Sequence, residues 1–429
     1  MGIASRHLRS VIERLAAIDR SSCSRGEREA ADWIAAQLSE LGAEATVELE
    51  RIHGTHWWPL GITAALGILG DSAACRGSRL VGTLLAAAGA AEVVDELSAG
   101  PRVLRWLLPK QTTANVVAWA GDREATPTLI VLAHHDAAHT SVFFDPRITA
   151  GMALRSRSGR NSAPEMLPVM APIAIAPAVV ALGALLGARR LARAGSALCA
   201  GVIASFTEIA LRRTVPGAND NLTGVATLLG LARALKERPV RGLRVLLVST
   251  GAEESILEGM RAFAARHLVD MPREETHVIC VDTVGSPYLV LAEGEGMLWM
   301  HDYDPEFKDL ISACAEATGV TVRRGLRIRV GTDGLLALRH GFPAAMLMSI
   351  DERGAPSNYH RPTDTPDRVE YARVEDTVRL CDCVARRLAG ETGAFAEEGA
   401  VAQPDAVAEG ISRAAPSEQP ARRRSVAAP

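Results

Sequence analysis

Apolar strand segments of this sequence end repeatedly in residues that titrate or bind metals. Residues 127–133 form a buried-strand pattern, and His134 and Asp136 follow it almost at once. The apolar run "LRVLLVST" is likewise followed by the adjacent carboxylates Glu253 and Glu254. Strands without polar alternation are typical of a parallel sheet that is covered on both faces. The sequence therefore predicts a layered fold with polar groups gathered where strands end.

Strand and helix patterns alternate along most of the chain, which predicts an α/β fold with a central, mostly parallel mixed sheet flanked by helices. An amphipathic helix at the N-terminus and a second one starting near residue 24 come first. The remaining strand patterns cover 44–49, 113–119, 127–133, 243–249, 277–281, 287–292 and 343–349, and the helix patterns cover 222–236, 255–267, 305–318 and 369–388.

Three further polar positions occur where this fold would bring them together. Asp282 follows the strand pattern "HVICV", Asp220 lies in the turn "VPGANDNLTG", and His360 lies in "SNYHRPTDTPD". Ligands of parallel sheets bind in the crevice outside the carboxyl ends of the strands. Two imidazoles and several carboxylates converging there form a set of N and O ligands that suits Zn²⁺.

Each of these residues also has a structural explanation that the sequence leaves open. Asp220 could cap the helix that follows it, and Glu253 and Glu254 could be a solvated helix start favoured by the helix dipole. Asp282 could be an ordinary loop residue after a strand. His135 and His139 belong to no ligand pattern, so we expect them at the surface or beside the ligands. The other histidines, including His56, are expected to be structural.

The five motifs together resemble a known family, and each is weak alone. His134-x-Asp136, "PGANDNLTG", "GAEES", the strand-end Asp282 and "NYHRPTDTPD" are similar in order to the co-catalytic zinc exopeptidases. That family includes bacterial leucyl aminopeptidases, plasma glutamate carboxypeptidase and glutaminyl cyclase. The resemblance covers about 20–56, 112–150 and 214–390.

The resemblance implies a centre with two Zn²⁺ ions. One zinc would be held by His134 and Asp282, the other by Glu254 and His360, and Asp220 would bridge them. It also implies a cis peptide bond after the bridging residue, between Asp220 and Asn221.

Three catalytic roles follow from the same resemblance. Glu253 would be the general base, Asp136 would orient the imidazole of His134, and Tyr359 would donate to the developing oxyanion, although Tyr359 could equally be a packing residue. The sequence departs from the family in "VGTDGLLALRH", where Gly334 occupies the position of a histidine that members often carry. We expect this change to affect the shape of the substrate site.

The function implied is that of a dinuclear zinc metallopeptidase, with an aminopeptidase expected first. A zinc-dependent deacylase, a glutaminyl-cyclase-like enzyme and an inactive interaction protein on the same fold are the alternatives. The partner would be a peptide or aminoacyl substrate. A net charge of −3 gives no general attraction to nucleic acid, and seven scattered cysteines predict reduced thiols rather than a disulfide framework.

Two apolar inserts, 57–96 and 151–213, interrupt the predicted catalytic domain of residues 1–391, and 392–429 are expected to be a disordered tail. The run 166–188 carries no charge and is long enough to span a bilayer. We expect the inserts to be helical hairpins, either associated with a membrane, with 166–211 as the contact and the enzyme on the cytoplasmic side, or forming an apolar lid or dimer surface on a soluble cytoplasmic enzyme.

Overall fold

The central sheet has eight strands, and the prediction of an α/β fold is confirmed. The computed structural model describes residues 3–145, 147 and 170–391, so the predicted tail lies outside the described residues. The sheet order is β1-β2-β4-β3-β5-β11-β6-β9. Its strands are β1 (Glu44–Ile52), β2 (Gln111–Gly121), β3 (Thr128–His134), β4 (Arg244–Thr250), β5 (Thr276–Val281), β6 (Tyr288–Leu291), β9 (Val322–Arg323) and β11 (Ala344–Ile350).

The middle of this sheet is parallel, and its edges are mixed. Strand β3 pairs in parallel with β4 and β5, and β5 pairs in parallel with β11. The β1–β2, β2–β4 and β6–β11 pairs are antiparallel. A separate small sheet joins β7 (Gly294–Glu295), β8 (His301–Asp302) and β10 (Arg327–Ile328). The four central strands therefore end at the same edge of the sheet.

Helices cover both faces of the sheet. They are α1 (Ile3–Ala16), α2 (Arg25–Glu40), α3 (Trp57–Cys75), α4 (Arg79–Leu97), α5 (Val103–Trp106), α6 (Ala171–Leu186), α7 (Arg189–Leu211), α8 (Leu222–Glu237), α9 (Glu258–Arg266), α10 (Pro305–Ala317), α11 (Asp333–Arg339) and α12 (Tyr371–Leu388). One core packs α1, α2, α8, α10 and α12 against the sheet, and a second packs α9 and α11 on the other face.

The two inserts fold as helical hairpins and pack together. Helices α3 and α4 form the first hairpin, α6 and α7 form the second, and α3 and α4 both contact α6 while α3 also contacts α7. We call these four helices the inserted bundle. The uncharged run 166–188 is helical only over Ala171–Leu186, and 166–169 lie outside the described residues. Among the described helices, one, Arg189–Leu211, is long and apolar enough to cross a membrane.

The second insert leaves and re-enters the catalytic part of the chain at one point. His139 and Thr214 form an isolated antiparallel bridge. The Thr140 N–H donates to Arg213 O over 3.1 Å, and the Val215 N–H donates to Ala138 O over 2.9 Å. The chain segments on either side of the insert are therefore held side by side.

Candidate metal centre

The predicted ligand residues converge at the carboxyl ends of the central strands. His134 is the last residue of β3, Glu253 and Glu254 lie in the turn after β4, and Asp282 directly follows β5. His360 comes from the loop after β11. Because these strands run in parallel, their ends place all five side chains in the same crevice.

Asp220 lies between the two imidazoles. Its Oδ1 is 3.2 Å from His134 Nε2, and its Oδ2 is 3.1 Å from His360 Nε2. One carboxylate thus faces two nitrogen ligands with its two separate oxygens. This arrangement allows Asp220 to bind two cations at once.

The remaining carboxylates divide between the two imidazoles. Asp282 Oδ1 lies 3.9 Å from His134 Nε2, and Glu254 Oε1 lies 3.3 Å from His360 Nε2. Glu253 Oε2 lies 4.0 Å from His134 Nε2. Ligand atoms of His134, Asp220 and Glu254 all lie within 4.8 Å of one another.

The cluster is buried, and the pKa shifts of its residues indicate a deficit of positive charge. Burial raises the pKa of Asp282 to about 8 and that of Glu253 well above its usual value. Burial alone would lower the pKa of His360, but Glu254 and Asp220 raise it to about 10. A bound divalent cation would replace these protons, because it stabilises carboxylates and takes neutral imidazoles as ligands.

Two buried oxygen atoms of the site also fit a metal. Asp220 Oδ2 and Glu254 Oε1 have no hydrogen bond of acceptable geometry within the described part of the chain. A buried carboxylate oxygen without a partner is costly. The donor set, imidazole nitrogen and carboxylate oxygen, is one that Zn²⁺ binds.

Asp136 connects the His134 strand to the glutamate turn. Its Oδ1 accepts a hydrogen bond from the Glu253 N–H, and its Oδ2 accepts from the Glu254 N–H and from the Ser22 hydroxyl. His134 Nδ1 lies 3.2 Å from the backbone oxygen of Asp136 and 3.4 Å from Oδ1. Asp136 therefore lies behind the imidazole, and its carboxylate mainly fixes the turn.

The Asp220 turn is held from two sides. The Asp220–Asn221 peptide bond is cis, which confirms the prediction. Asp364 accepts hydrogen bonds from the Asn219 and Asp220 N–H groups at 2.8 and 3.1 Å. Asp364 is not apparent from the sequence, where its only signal is its position in the "RPTDTPD" motif.

Arg20 is a second residue that the sequence analysis missed. Its buried guanidinium donates to the backbone oxygens of His135, at 2.9 Å, and Pro216, at 2.8 Å. It also donates to Leu15 O at 2.6 Å. Arg20 thus joins the loop after β3 to the turn that carries Asp220.

Two histidines, His135 and His56, differ from their predicted positions, whereas His139 lies where it was expected. His135 is fully buried rather than at the surface, with Nδ1 3.0 Å from Ser249 Oγ on the neighbouring strand. His139 lines the cavity beside the ligands, and its ring packs edge-on against Trp57. His56, expected to be structural, also lines the cavity and donates from Nδ1 to Glu254 O at 2.9 Å.

The structure explains why a histidine does not fit at position 334. A methyl group added to Gly334 would lie 2.9 Å from both Tyr303 Oη and Cys280 Cβ. The Tyr303 hydroxyl donates to the buried carboxylate of Glu295, which also accepts from the Thr332 N–H at 2.9 Å. A tyrosine–glutamate pair therefore fills the space next to Gly334.

Tyr359 lies beside the proposed metal ligands, and its ring contacts one of them, His360. It stacks on His360 with ring centroids 3.9 Å apart and planes 21° from parallel. Both rings line a cavity of about 390 Å³. The cavity is bounded on one side by Glu253, Glu254 and His360 and on the other by residues from the inserted bundle. Arg329 also lines it, whereas Arg324 and Arg327 pair with Glu293 and Asp302 elsewhere.

Comparisons with known proteins agree with this fold. Residues 205–382 match the model of peptidase family M28. An aminopeptidase from Aneurinibacillus sp. strain AM-1 is similar in structure at 15% identity, with 90% of this chain and 93% of that chain covered and a TM-score of 0.52. A leucine aminopeptidase precursor from Bacteroides thetaiotaomicron is similar at 12% identity, with 89% and 97% covered and a TM-score of 0.52. A glutaminyl cyclase from Tannerella forsythia is similar at 13% identity, with 89% and 97% covered and a TM-score of 0.53. No curated protein matches the chain in sequence.

The fold and the site define a zinc exopeptidase-like hydrolase. The family-model match agrees with this class, since residues 205–382 match the model of peptidase family M28.

Proposed function

We propose that this protein is an aminopeptidase that uses two zinc ions. The observation that carries the proposal is the position of Asp220, whose two oxygens face His134 and His360 separately. In this proposal His134 and Asp282 hold one ion and Glu254 and His360 hold the other. Bound zinc would lower the pKa of a water molecule and polarise the scissile carbonyl.

Glu253 is the proposed general base. Its carboxylate lies 4.0 Å from His134 Nε2 and lines the cavity without being needed as a ligand. It would take a proton from the attacking water and deliver it to the leaving amine, which balances the proton over hydrolysis of one amide bond. Asp136 would hold Glu253 in place by accepting a hydrogen bond from the backbone N–H of Glu253. Tyr359 would donate to the carbonyl oxygen of the substrate after its ring shifts on His360.

Arg329 supports a second candidate, a carboxypeptidase. Arg329 lines the cavity and donates from Nη1 to Leu298 O at 3.0 Å, and a carboxylate of the substrate would be a second acceptor beside it. A deacylase would use the same metal ligands with a substrate that lacks a free terminal amine. A glutaminyl-cyclase-like enzyme would use them with a substrate that cyclises. An interaction protein without catalytic activity would need neither zinc nor Glu253.

The experiment that tests the proposal combines metal content with a substrate panel. Purified, chelator-treated protein is reloaded with Zn²⁺, its zinc stoichiometry is measured by atomic absorption, and aminoacyl, carboxyl-terminal and acylated substrates are assayed. We expect two zinc ions per chain and release of N-terminal residues. One ion per chain would contradict the dinuclear centre, and preferred cleavage at a free carboxylate would transfer the proposal to the carboxypeptidase. No zinc and no hydrolysis would support the inactive protein.

We also propose that residues 1–391 form one catalytic domain with a tail at 392–429, and that the chain associates with a membrane through 166–211. Helix Arg189–Leu211 supports the membrane association, because only 17% of its most apolar 18 residues are buried. The core helix of a soluble protein would be mostly buried. The catalytic part would lie on the cytoplasmic side. A carbonate wash of fractionated cells tests this. Complete release into the soluble fraction would instead support an apolar lid or dimer surface.

A further inference from the structure

Small residues form the contacts between helices of the inserted bundle. A methyl group added at Gly70 would lie 2.6 Å from the backbone oxygen of Gly82 on the other helix of its hairpin. One added at Gly183 would lie 2.4 Å from the backbone nitrogen of Ala192 in the second hairpin. The backbones therefore approach closely, and no large side chain lies between them at these positions.

Several large apolar residues of the bundle point outward, whereas Leu60, Val93 and Phe206 near the cavity are buried. Leu80 and Leu84 on α4 are 70% and 60% exposed, and Leu185 on α6 is 63% exposed. Leu198 on α7 and Leu69 on α3 are also exposed. Because all four helices present such residues, the apolar surface surrounds the bundle rather than forming one face.

The exterior of the bundle carries no charge over most of its length. The stretches without a charged residue are 57–70 on α3, 80–91 on α4, all of α6, and 194–207 on α7. A helix bundle in water has large apolar residues inside and polar residues outside. The observed arrangement is the reverse, with small residues at the contacts and leucines outside, as in bundles that face lipid.

Three of the four helices of the bundle are at least about as long as the hydrocarbon core of a bilayer is thick, and α6, with 16 residues, is shorter. At 1.5 Å per residue, a 19-residue helix such as α3 or α4 is about 28 Å long, close to the hydrocarbon thickness of about 30 Å. The two hairpin turns lie next to each other, since a methyl group added at Gly187 would lie 2.7 Å from the Arg79 guanidinium. They form the far end of the bundle, because the other ends of α3 and α7 line the cavity.

That far end is rich in arginine. We call it the arginine tip, and its exposed arginines are Arg76, Arg79, Arg189, Arg190 and Arg193. Asp71 is the one acidic residue in the helical turns next to them. Guanidinium groups at this position would pair with lipid phosphates. The two ends of the bundle thus suit the two headgroup layers of one membrane.

The opposite end of the bundle forms a wall of the cavity. Trp57, Leu60, Met170, Phe206 and Ile209 line it across from the proposed zinc ligands. If the bundle lies in a bilayer, the cavity lies at the level of the near headgroups. A peptide held in that bilayer could then enter the cavity without leaving the membrane surface.

We propose that the inserted bundle is embedded in a lipid bilayer and that the enzyme therefore acts on peptides anchored in the same membrane. The second part rests on the proposed hydrolase function. A dimer would cover one face of the bundle and a lid would cover the cavity end, and both would leave leucines of the other helices in water.

The embedding is tested with vesicles of phosphatidylcholine and phosphatidylglycerol and the full chain purified in detergent. We expect the wild-type chain to float with the vesicles and to resist extraction by carbonate. The double variant Leu84→Glu/Leu185→Glu should lose at least nine-tenths of this binding. The control is Val269→Glu, which places one glutamate on an exposed valine of the catalytic domain and should bind normally. A wild-type chain that remains in solution, as monomer or dimer, would overturn the proposal.

The substrate class is tested with one peptide in two forms, soluble and carrying a C-terminal acyl chain. In vesicles, we expect kcat/KM for the acylated form to exceed that of the soluble form by at least tenfold. Leu84→Glu/Leu185→Glu should lose this advantage while cleaving the soluble peptide at the wild-type rate. Equal rates for both peptides with vesicle-bound enzyme would overturn the substrate class. Failure to cleave either peptide with zinc present would instead refute the hydrolase function. The flotation experiment would still show whether the inserted bundle binds the membrane.

Discussion

Asp136 Oδ1 accepts a hydrogen bond of 3.0 Å from the backbone N–H of Glu253, so the residue behind the first imidazole also holds the proposed base. The second oxygen accepts from the Glu254 N–H at 3.1 Å. One carboxylate thereby fixes the turn that carries both glutamates, against the end of β3. The position of Glu253 relative to His134 depends on this single side chain.

Replacing Asp136 with Asn should weaken zinc binding and turnover together. The amide nitrogen would face one of two backbone N–H donors, which leaves a buried donor unsatisfied. Substitutions of groups that support metal ligands typically cost about 10–100-fold in affinity or activity. Zinc titration and kcat measure the effect. Ser22→Ala, which removes only the hydroxyl donor to the same carboxylate, is the milder control at about 1 kcal/mol. Equal effects of the two variants would contradict this role of Asp136.

Glu253→Gln and Glu254→Gln should separate catalysis from metal binding. If Glu253 is the base and Glu254 a ligand, Glu253→Gln keeps its zinc and loses about 10²–10⁴-fold in kcat. Glu254→Gln should lose bound zinc instead. Atomic absorption and steady-state kinetics on both variants test this. A Glu253→Gln enzyme with unchanged kcat would remove Glu253 from the role of base.

Removal of the Arg20 guanidinium should weaken the connection between the loop after β3 and the turn that carries Asp220. Arg20→Met leaves the buried carbonyls of His135 and Pro216 without donors, and each unsatisfied group costs about 1–3 kcal/mol. We expect a loss of several kcal/mol in the free energy of unfolding, measured by denaturant titration. Zinc binding should also be weaker, which a zinc titration measures. Arg28→Met removes an exposed ion pair with Asp32 and should change stability by less than about 1 kcal/mol.

The Tyr303 hydroxyl should account for part of the intolerance of position 334 to a side chain. We expect Gly334→Ala to destabilise the protein by about 1–3 kcal/mol, because Tyr303 Oη and Cys280 Cβ lie too close to the added methyl group. In a Tyr303→Phe background the penalty should be smaller, since one of the two obstructing atoms is gone. Thermal unfolding of the four proteins in this cycle measures the difference, and strictly additive effects would contradict the contact.

Glu295 should make stability depend on pH. Burial raises its pKa to about 7, although hydrogen bonds from Tyr303 and Thr332 act in the opposite direction. The folded state therefore binds a proton that the unfolded state releases near pH 4.5, and its stabilising contribution is lost as pH rises toward 7. The contribution is on the order of 3 kcal/mol. Chemical unfolding from pH 5 to 8 should show a steeper decline for wild type than for Glu295→Gln. Parallel profiles would contradict the raised pKa.

Long strands and motif-bearing turns could be predicted, whereas short or remote contacts could not. Strand β3 is buried along its whole length, so its composition alone marks it. Strands β7 and β10 have two residues each, too short to show a period. His135 is buried because Ser249 lies beside it on the next strand, and no local pattern brings these residues together.

In the site, too, some features could be predicted from local sequence and others could not. The ligand residues lie in recognisable motifs, but the backbone conformation that orients Glu253 and Glu254 could not be predicted from theirs. The predicted helix start at 255 is wrong by a few residues, since α9 begins at Glu258. Ala252, Ile256 and Leu257 have positive φ angles, a conformation that side chains other than glycine disfavour and that local propensity does not predict.

The bridge between His139 and Thr214 has a consequence for how this chain assembles. Because the segments on either side of the second insert meet directly, the neighbouring strands β3 and β4 can pair as soon as that loop closes. The entropic cost of closing a loop grows only slowly with its length. If the inserted bundle is embedded as proposed, the second hairpin can fold in lipid independently of the hydrolase sheet, which forms in water. A version of the protein in which a short glycine–serine linker joins residue 140 to residue 213 should still form the sheet.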